Sequence, residues 1–316
     1  MTPPASTTPA VSVRGLERRF GDRAALAGVT FDVMPGERLA LLGPNGSGKS
    51  TLLRTLATLL RPTGGSAAVC GLDVQREQAA VRHRLGTVFQ SPSLDGKLSV
   101  KENLQIQGHL YGLTGVELKQ RIGEALQRLD LTDRVRDLVE TLSGGMKRRV
   151  ELAKVLLHHP SVLLLDEPST GLDPAARIDF WTTLLALQQE RALTVIVATH
   201  LMDEADRCTR AALLDEGRLV ALDTPDALKA RVGGPVLDVE AGDPDALLPR
   251  LSATLGLRAR KVGHALRIEG ASGFDTAQRI QQAYPQEVVA VRIGQPTLED
   301  VFLALTGRRL ATEEAA

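Results

Sequence analysis

The sequence predicts an α/β fold with a mixed-sheet core, an antiparallel β subdomain and a helical insertion, followed by a small ferredoxin-like α+β domain. Three observations carry that prediction. A short apolar strand, ERLALLG at 37–43, runs directly into a glycine-rich loop and then into a helix-period stretch. Two further apolar runs, SVLLLDEP at 161–168 and LTVIVATH at 193–200, alternate with helical segments, as a parallel sheet with crossover helices requires. Beyond GGP at 233–235 the order of elements becomes β-α-β-β-α-β.

Residues 1–10, MTPPASTTPA, lack the charged start and apolar stretch of a signal peptide and read as a disordered leader. Residues 11–33 alternate apolar and polar side chains around a Gly-Asp turn at 21–22, the pattern of a small antiparallel β region. After the strand at 37–43 and its loop, STLLRTLATLL has helical spacing. The pattern from about 97 to 140 is helical throughout. With the helix that follows Gly144-Gly145, it places a helical subdomain at about 91–158 inside a domain spanning 11–232. The helix PAARIDFWTTLLALQQE lies between the two later strands, and AALLD-EG-RLVAL reads as a hairpin. The second domain, 233–308, opens with strand VLDVE and closes with helix LEDVFLALTG, and 309–316 read as a flexible tail.

Bulk properties exclude several functions. The 38 basic and 38 acidic residues balance, so no global field favours nucleic acid or an anionic membrane surface. The longest apolar runs fall far short of the ~18 residues of a spanning helix. Cys70 and Cys208 match no metal or redox spacing and read as reduced thiols of a cytosolic protein.

The loop Gly43-Pro44-Asn45-Gly46-Ser47-Gly48-Lys49-Ser50 fits G-x-x-x-x-G-K-[ST], and Thr51 follows it. Its glycines let backbone N–H groups converge on phosphate, Lys49 adds a point charge, and Ser50 offers a hydroxyl to Mg²⁺. Asp166 ends an apolar strand, where a carboxylate can orient Mg²⁺ through its water shell, and Glu167 beside it is placed to polarise an attacking water. His200 closes the strand TVIVAT at the same sheet edge, and in that company it reads as a γ-phosphate contact. A second glycine pair, Gly144-Gly145, starts another helix with Ser143 at the N-cap position. It could present N–H groups to an anion, or simply make a capped turn.

LSGGM followed closely by LLLDEPSTGLD resembles the ATP-binding cassette (ABC) family, over residues 11 to about 230. The resemblance rests on six motifs in order: Phe20, the phosphate loop, Gln90 in VFQSP, Leu142–Met146, Asp166/Glu167 with the Ser169–Asp173 loop, and His200. It implies ATP and Mg²⁺ as ligands, Phe20 stacking on adenine and Gln90 touching Mg²⁺ and water. It also implies a head-to-tail homodimer in which Ser143, Gly144, Gly145 and Asp173 serve the nucleotide held by the partner's loop.

LSGGM rather than LSGGQ, SPSLDGKLSVKENL after Gln90 and PTLEDVFLALTGR near the end resemble the drug-exporter branch typified by daunorubicin-resistance ATPases. That likeness implies a separate polytopic permease as partner, a cytoplasmic protein held at the inner face of the membrane, and no nucleic acid partner. Residues about 91–112 are then either the permease-docking surface or a solvated helical face. The C-terminal domain would serve assembly or regulation, or only stability. A soluble ABC ATPase of translation or DNA repair is the alternative. Such proteins commonly carry tandem cassettes or long coiled coils, and this chain has one cassette.

Overall fold

Short runs of Leu, Val, Ile and Ala become the fully buried strands of a central sheet, and polar residues begin where those runs stop. The computed structural model describes residues 8–91, 93–268 and 273–308. Residues 1–7 of the expected leader and the expected tail 309–316 therefore lie outside the described residues. The chain divides into two units, Met1–Leu222 and Asp223–Ala316. This division falls ahead of the GGP sequence.

In the first unit, β1 (Val11–Phe20) and β2 (Arg23–Val33) form the expected antiparallel pair. β3 (Arg38–Leu42) leads through the glycine-rich loop into α1 (Lys49–Leu56). β4 (Gly64–Val69) and β5 (Leu72–Asp73) then complete an antiparallel sheet of order β2-β1-β4-β5. α2 (Gln78–Arg84) and β6 (Leu85–Val88) return the chain to the central sheet. The insertion consists of α3 (Val100–Leu110), α4 (Gly115–Arg128) and α5 (Gly144–Leu156). β7 (Val162–Asp166), α6 (Pro174–Arg191), β8 (Thr194–Thr199), α7 (Met202–Asp206), β9 (Arg210–Asp215) and β10 (Arg218–Asp223) follow.

The central sheet has the order β10-β9-β3-β8-β7-β6, and the five strands from β9 to β6 run parallel. Glu216 and Gly217 both take positive φ between β9 and β10, as a type I′ turn requires. Leu52, Leu53 and Leu56 of α1 are buried in one cluster with Leu39, Leu41, Leu164 and Ile196. Each such side chain contributes roughly 1.5–3 kcal/mol, so the helix is anchored beneath its loop. Ala10, read as leader, is instead buried, its N–H on the Val33 carbonyl and its own carbonyl receiving the Cys70 N–H.

The second unit begins with α8 (Pro225–Ala230), then runs β11 (Val236–Ala241), α9 (Pro244–Leu255), β12 (Ala259–Val262), β13 (Ala265–Ile268), α10 (Phe274–Ala283), β14 (Val288–Gly294) and α11 (Leu298–Thr306). Its sheet is antiparallel with order β12-β13-β11-β14, and α9 and α10 supply Leu247, Leu251 and Ile280 to its core. Asp300 is buried, completes a capping box with Thr297 and pairs with Arg267 at 2.6 Å. Its role is structural. No helix among the described residues is long and apolar enough to cross a membrane.

Just past α5, His158 stacks on Tyr111 with centroids 3.8 Å apart, and its Nε2–H donates to the Leu85 carbonyl at 2.8 Å. Its Nδ1 is buried without a partner, so a second proton would have no acceptor. Burial pushes the imidazole pKa down from 6.5 to about 4, against the Leu85 hydrogen bond. The unfolded chain takes up this proton first as pH falls, so the contribution is intact above 6.5 and is lost on the way to 4. After allowance for partial exposure the loss is about 2 kcal/mol. His158→Phe should flatten that part of the acid limb in urea unfolding series; an unchanged slope would refute the assignment.

Candidate nucleotide site

Parallel strands in register deliver polar residues to one edge. Leu42 lies opposite Thr199, Asp166 opposite Ala198 and Val88 opposite Leu165. Hence the loop after β3, His200 after β8, Glu167 after β7 and Gln90 after β6 all leave the sheet at its carboxyl end. In open α/β sheets that end is where ligands bind.

The loop turns into α1 at Gly48, with φ 107°. A Cβ there would lie 2.5 Å from the Ala25 carbonyl oxygen, so only glycine fits. Lys49 is 5% exposed, and its Nζ donates to the carbonyls of Gly43 at 2.6 Å and Pro44 at 2.9 Å. Burial lowers its pKa, and the charges of Glu167 and Asp166 oppose that shift.

Ser50 Oγ donates to Asp166 Oδ1 at 3.0 Å. Burial holds the Asp166 carboxyl above its ordinary range despite that bond. A hydroxyl and a buried carboxylate are hard oxygen donors of the kind Mg²⁺ takes, and the ion would add positive charge beside Asp166 to that of Lys49 and Arg54. Among the described residues no group of three or more His, Cys, Asp or Glu could hold a metal. Mg²⁺ ordinarily uses one or two carboxylates together with substrate phosphates, so Ser50 and Asp166 are a sufficient protein share of such a site.

Glu167 takes φ 48°, a left-handed conformation that non-glycine residues avoid. The strain is on the order of 1–3 kcal/mol. It is held by the Glu167 N–H on the Ala198 carbonyl at 2.8 Å and by the Thr170 N–H on the Glu167 carbonyl at 3.2 Å. Its carboxylate accepts from Gln90 Nε2 at 3.4 Å, Thr170 Oγ1 at 3.3 Å and His200 Nδ1 at 3.3 Å. The His200 hydrogen bond holds the Glu167 carboxyl below its usual range, and the same bond raises the imidazole. Glu167 therefore stays ionised with one oxygen on His200.

A cleft of about 520 Å³ opens above these groups, lined by the loop residues Asn45, Gly46 and Gly48–Thr51 and by Phe20, Gln90 and Glu167. Phe20 is 47% exposed, with the Arg18 guanidinium 4.5 Å over its ring. Gly43, Pro44, Ser47, Asp166 and His200 are not part of the lining: the first two hold Lys49, the 2% exposed Ser47 faces inward against Gly43, and Asp166 and His200 stand behind Ser50 and Glu167. Arg23 and Ala25 also line the cleft and were missed by sequence reasoning, their only signal being closeness to Phe20.

Ser143, Gly145 and Asp173 line a different cleft, of about 550 Å³. Ser143 Oγ accepts the Met146 N–H at 3.3 Å and Asp173 Oδ1 the Ala176 N–H at 2.9 Å, so they cap α5 and α6. The two helix starts pack closely: a Cβ on Gly145 would come within 3.1 Å of the Ala176 Cβ. Gly144 is the first residue of α5. Further along α5, buried Arg148 pairs with Glu151 at 2.7 Å and donates to the carbonyls of Phe89 at 3.0 Å and Gln90 at 3.1 Å. The helix that begins at the second glycine pair thus braces the segment carrying Gln90.

The loop geometry defines a class: an α/β protein that binds a nucleoside triphosphate at the carboxyl edge of its sheet. The ABC transporter family model matches residues 26–170. A daunorubicin-resistance ATP-binding protein of Streptomyces coeruleorubidus is 42% identical across 97% of this chain and 99% of its own length. A Nod factor export ATP-binding protein of Burkholderia orbicola is 36% identical across 95% and 98%. Among solved structures, a part of an ABC transporter complex from Clostridium perfringens matches with TM-score 0.66 and 28% identity, covering 78% of this chain and 96% of that one. An ATP-binding cassette solved as a dimer in a post-hydrolysis state, bound to ADP and phosphate, matches with TM-score 0.61 and 28% identity over 68% and 98%. The chain belongs to the ABC transporter ATP-binding family, and it is an ATPase.

Proposed function

We propose that this protein is the energy-supplying subunit of an exporter, working as a head-to-tail homodimer on a separate polytopic permease at the inner face of the cell membrane. The cargo class is a drug or other hydrophobic compound. The observation that carries this reading is likeness over nearly the full length, C-terminal unit included, to proteins named for daunorubicin resistance and Nod factor export.

On this reading Phe20 stacks on adenine, and the loop from Gly43 to Thr51 cradles the phosphates. Ser50, Asp166 and Gln90 would hold Mg²⁺, which when bound neutralises charge on the phosphates. Glu167 polarises the attacking water and His200 contacts the γ-phosphate. Ser143, Gly144, Gly145 and Asp173 close over the nucleotide of the partner subunit. Their separation from the phosphate loop into another cleft of the same chain supports that assignment.

Tagged Glu167→Gln protein, expressed in its host and solubilised from membranes with ATP present, should co-purify with a polytopic membrane protein in stoichiometric amount. Recovery of ribosomal or DNA-repair proteins without a membrane partner would overturn the transport reading.

A further inference from the structure

Four acidic side chains are buried among the described residues: Glu151, Asp166, Glu204 and Asp300. Glu151 and Asp300 meet guanidinium groups, and Asp166 accepts from Ser50, which lines the nucleotide cleft. Glu204, in α7 and 1% exposed, is different. Its Oε1 accepts the Ser169 hydroxyl and the Trp181 Nε1–H, the latter at 3.0 Å, and its Oε2 is buried without a partner. A buried carboxylate held only by neutral donors is costly, and two donors converging on one oxygen fix its position closely.

The donors come from places that matter to the site. Ser169 follows Glu167 by two residues, in the turn that leads to α6. Trp181 lies within α6, whose N-cap is Asp173. Glu204 itself follows His200 by four residues. One carboxylate therefore fastens the Glu167 segment to the His200 segment, and those two side chains meet at 3.3 Å. We propose that Glu204 is a positioning residue for hydrolysis: through Ser169 and Trp181 it holds the strained Glu167 turn against the end of β8, so that Glu167 faces His200 and the cleft. This rests on the reading of Glu167 as the group that polarises water.

The test compares Glu204→Leu, which keeps the bulk and removes the acceptor, with Glu204→Gln, which keeps an acceptor oxygen for both donors. Ser169→Ala, which removes one small donor, serves if Glu204→Leu does not fold. Glu204→Leu and Ser169→Ala should lower kcat on the order of 100-fold, with KM for ATP changed less than about twofold, because the loss is one of alignment. Glu204→Gln should recover most of the rate. Trp181 is the sole tryptophan, so its emission reports directly whether Glu204→Leu has broken the Nε1–H bond. Wild-type kcat with that emission changed would overturn the proposal, as would a Glu204→Gln variant as slow as Glu204→Leu. Glu167→Gln is measured in parallel; if it turns over like wild type, the reading of Glu167 fails and takes the proposal with it.

Discussion

Replacing Glu167 by Gln should lower ATP turnover by about 10²- to 10⁴-fold and leave nucleotide binding intact. The amide matches the carboxylate in size, and its single oxygen can still accept either from His200 or from Gln90 and Thr170. The turn around φ 48° keeps its backbone supports, the Glu167 N–H on the Ala198 carbonyl and the Thr170 N–H on the Glu167 carbonyl. The amide cannot take a proton from water. The carboxylate it replaces is one that His200 keeps ionised, and without it His200 loses the carboxylate hydrogen bond that is the main cause of its raised pKa, and the charge that adds to it. With turnover stopped, the bound triphosphate persists, and gel filtration with ATP and Mg²⁺ should show a dimer that dissociates when nucleotide is removed. A variant that hydrolyses ATP at the wild-type rate, or stays monomeric with saturating ATP, would refute the assignment.

Much of this site is legible in the sequence because its residues sit where apolar runs end. VLLL stops at Asp166 and Glu167, TVIVAT stops at His200, and the strand before Gly43 stops at the loop. A run of buried residues fixes a strand, and the first polar residue after it marks the edge. Where that signal is absent, reading fails. Residues 64–88 form β4, β5, α2 and β6, yet these elements are short, and the first opens on Gly64-Gly65 with Gly65 at φ 70°. No period of two or 3.6 can establish itself over so few residues. Gln90 could be found only by resemblance, since the strand before it has four residues. Arg23 and Ala25 were hidden for another reason: they reach the cleft from the start of β2, just past the hairpin turn, and neither position carries a local pattern. Asp300 is a further case: the T-x-x-D spacing of its capping box is local, but its burial and its pairing with Arg267 come from packing that the spacing does not announce. The spacing of Ser143 from the phosphate loop likewise says nothing about whether they share a cleft.

Ser143→Arg should leave ATP binding by the isolated chain within about twofold of wild type and reduce turnover by on the order of 100-fold. The local cost is small, since the lost cap at the start of α5 is worth about 1 kcal/mol. Nor does the change touch the cleft that holds Lys49 and Glu167, because Ser143 lines the other one. The new guanidinium would enter a space lined by Arg134 and Arg149 and by Asp130, Asp133, Asp173 and Asp179, and on the proposed reading its bulk would fill the surface that closes over the partner's nucleotide. A mixing experiment separates this from general damage. Lys49→Ala removes the buried ammonium from the phosphate loop and should be inactive alone. In a mixed dimer, the intact loop of the Ser143→Arg chain faces the intact Ser143 of the Lys49→Ala chain, so one complete site is restored. Equal mixing should recover roughly a quarter of wild-type turnover, because half the dimers are mixed and each carries one working site of two. Recovery of that kind cannot come from a site built within one chain. Undiminished turnover in Ser143→Arg alone, or no recovery on mixing, would mean that the second glycine pair serves only to start α5 against α6.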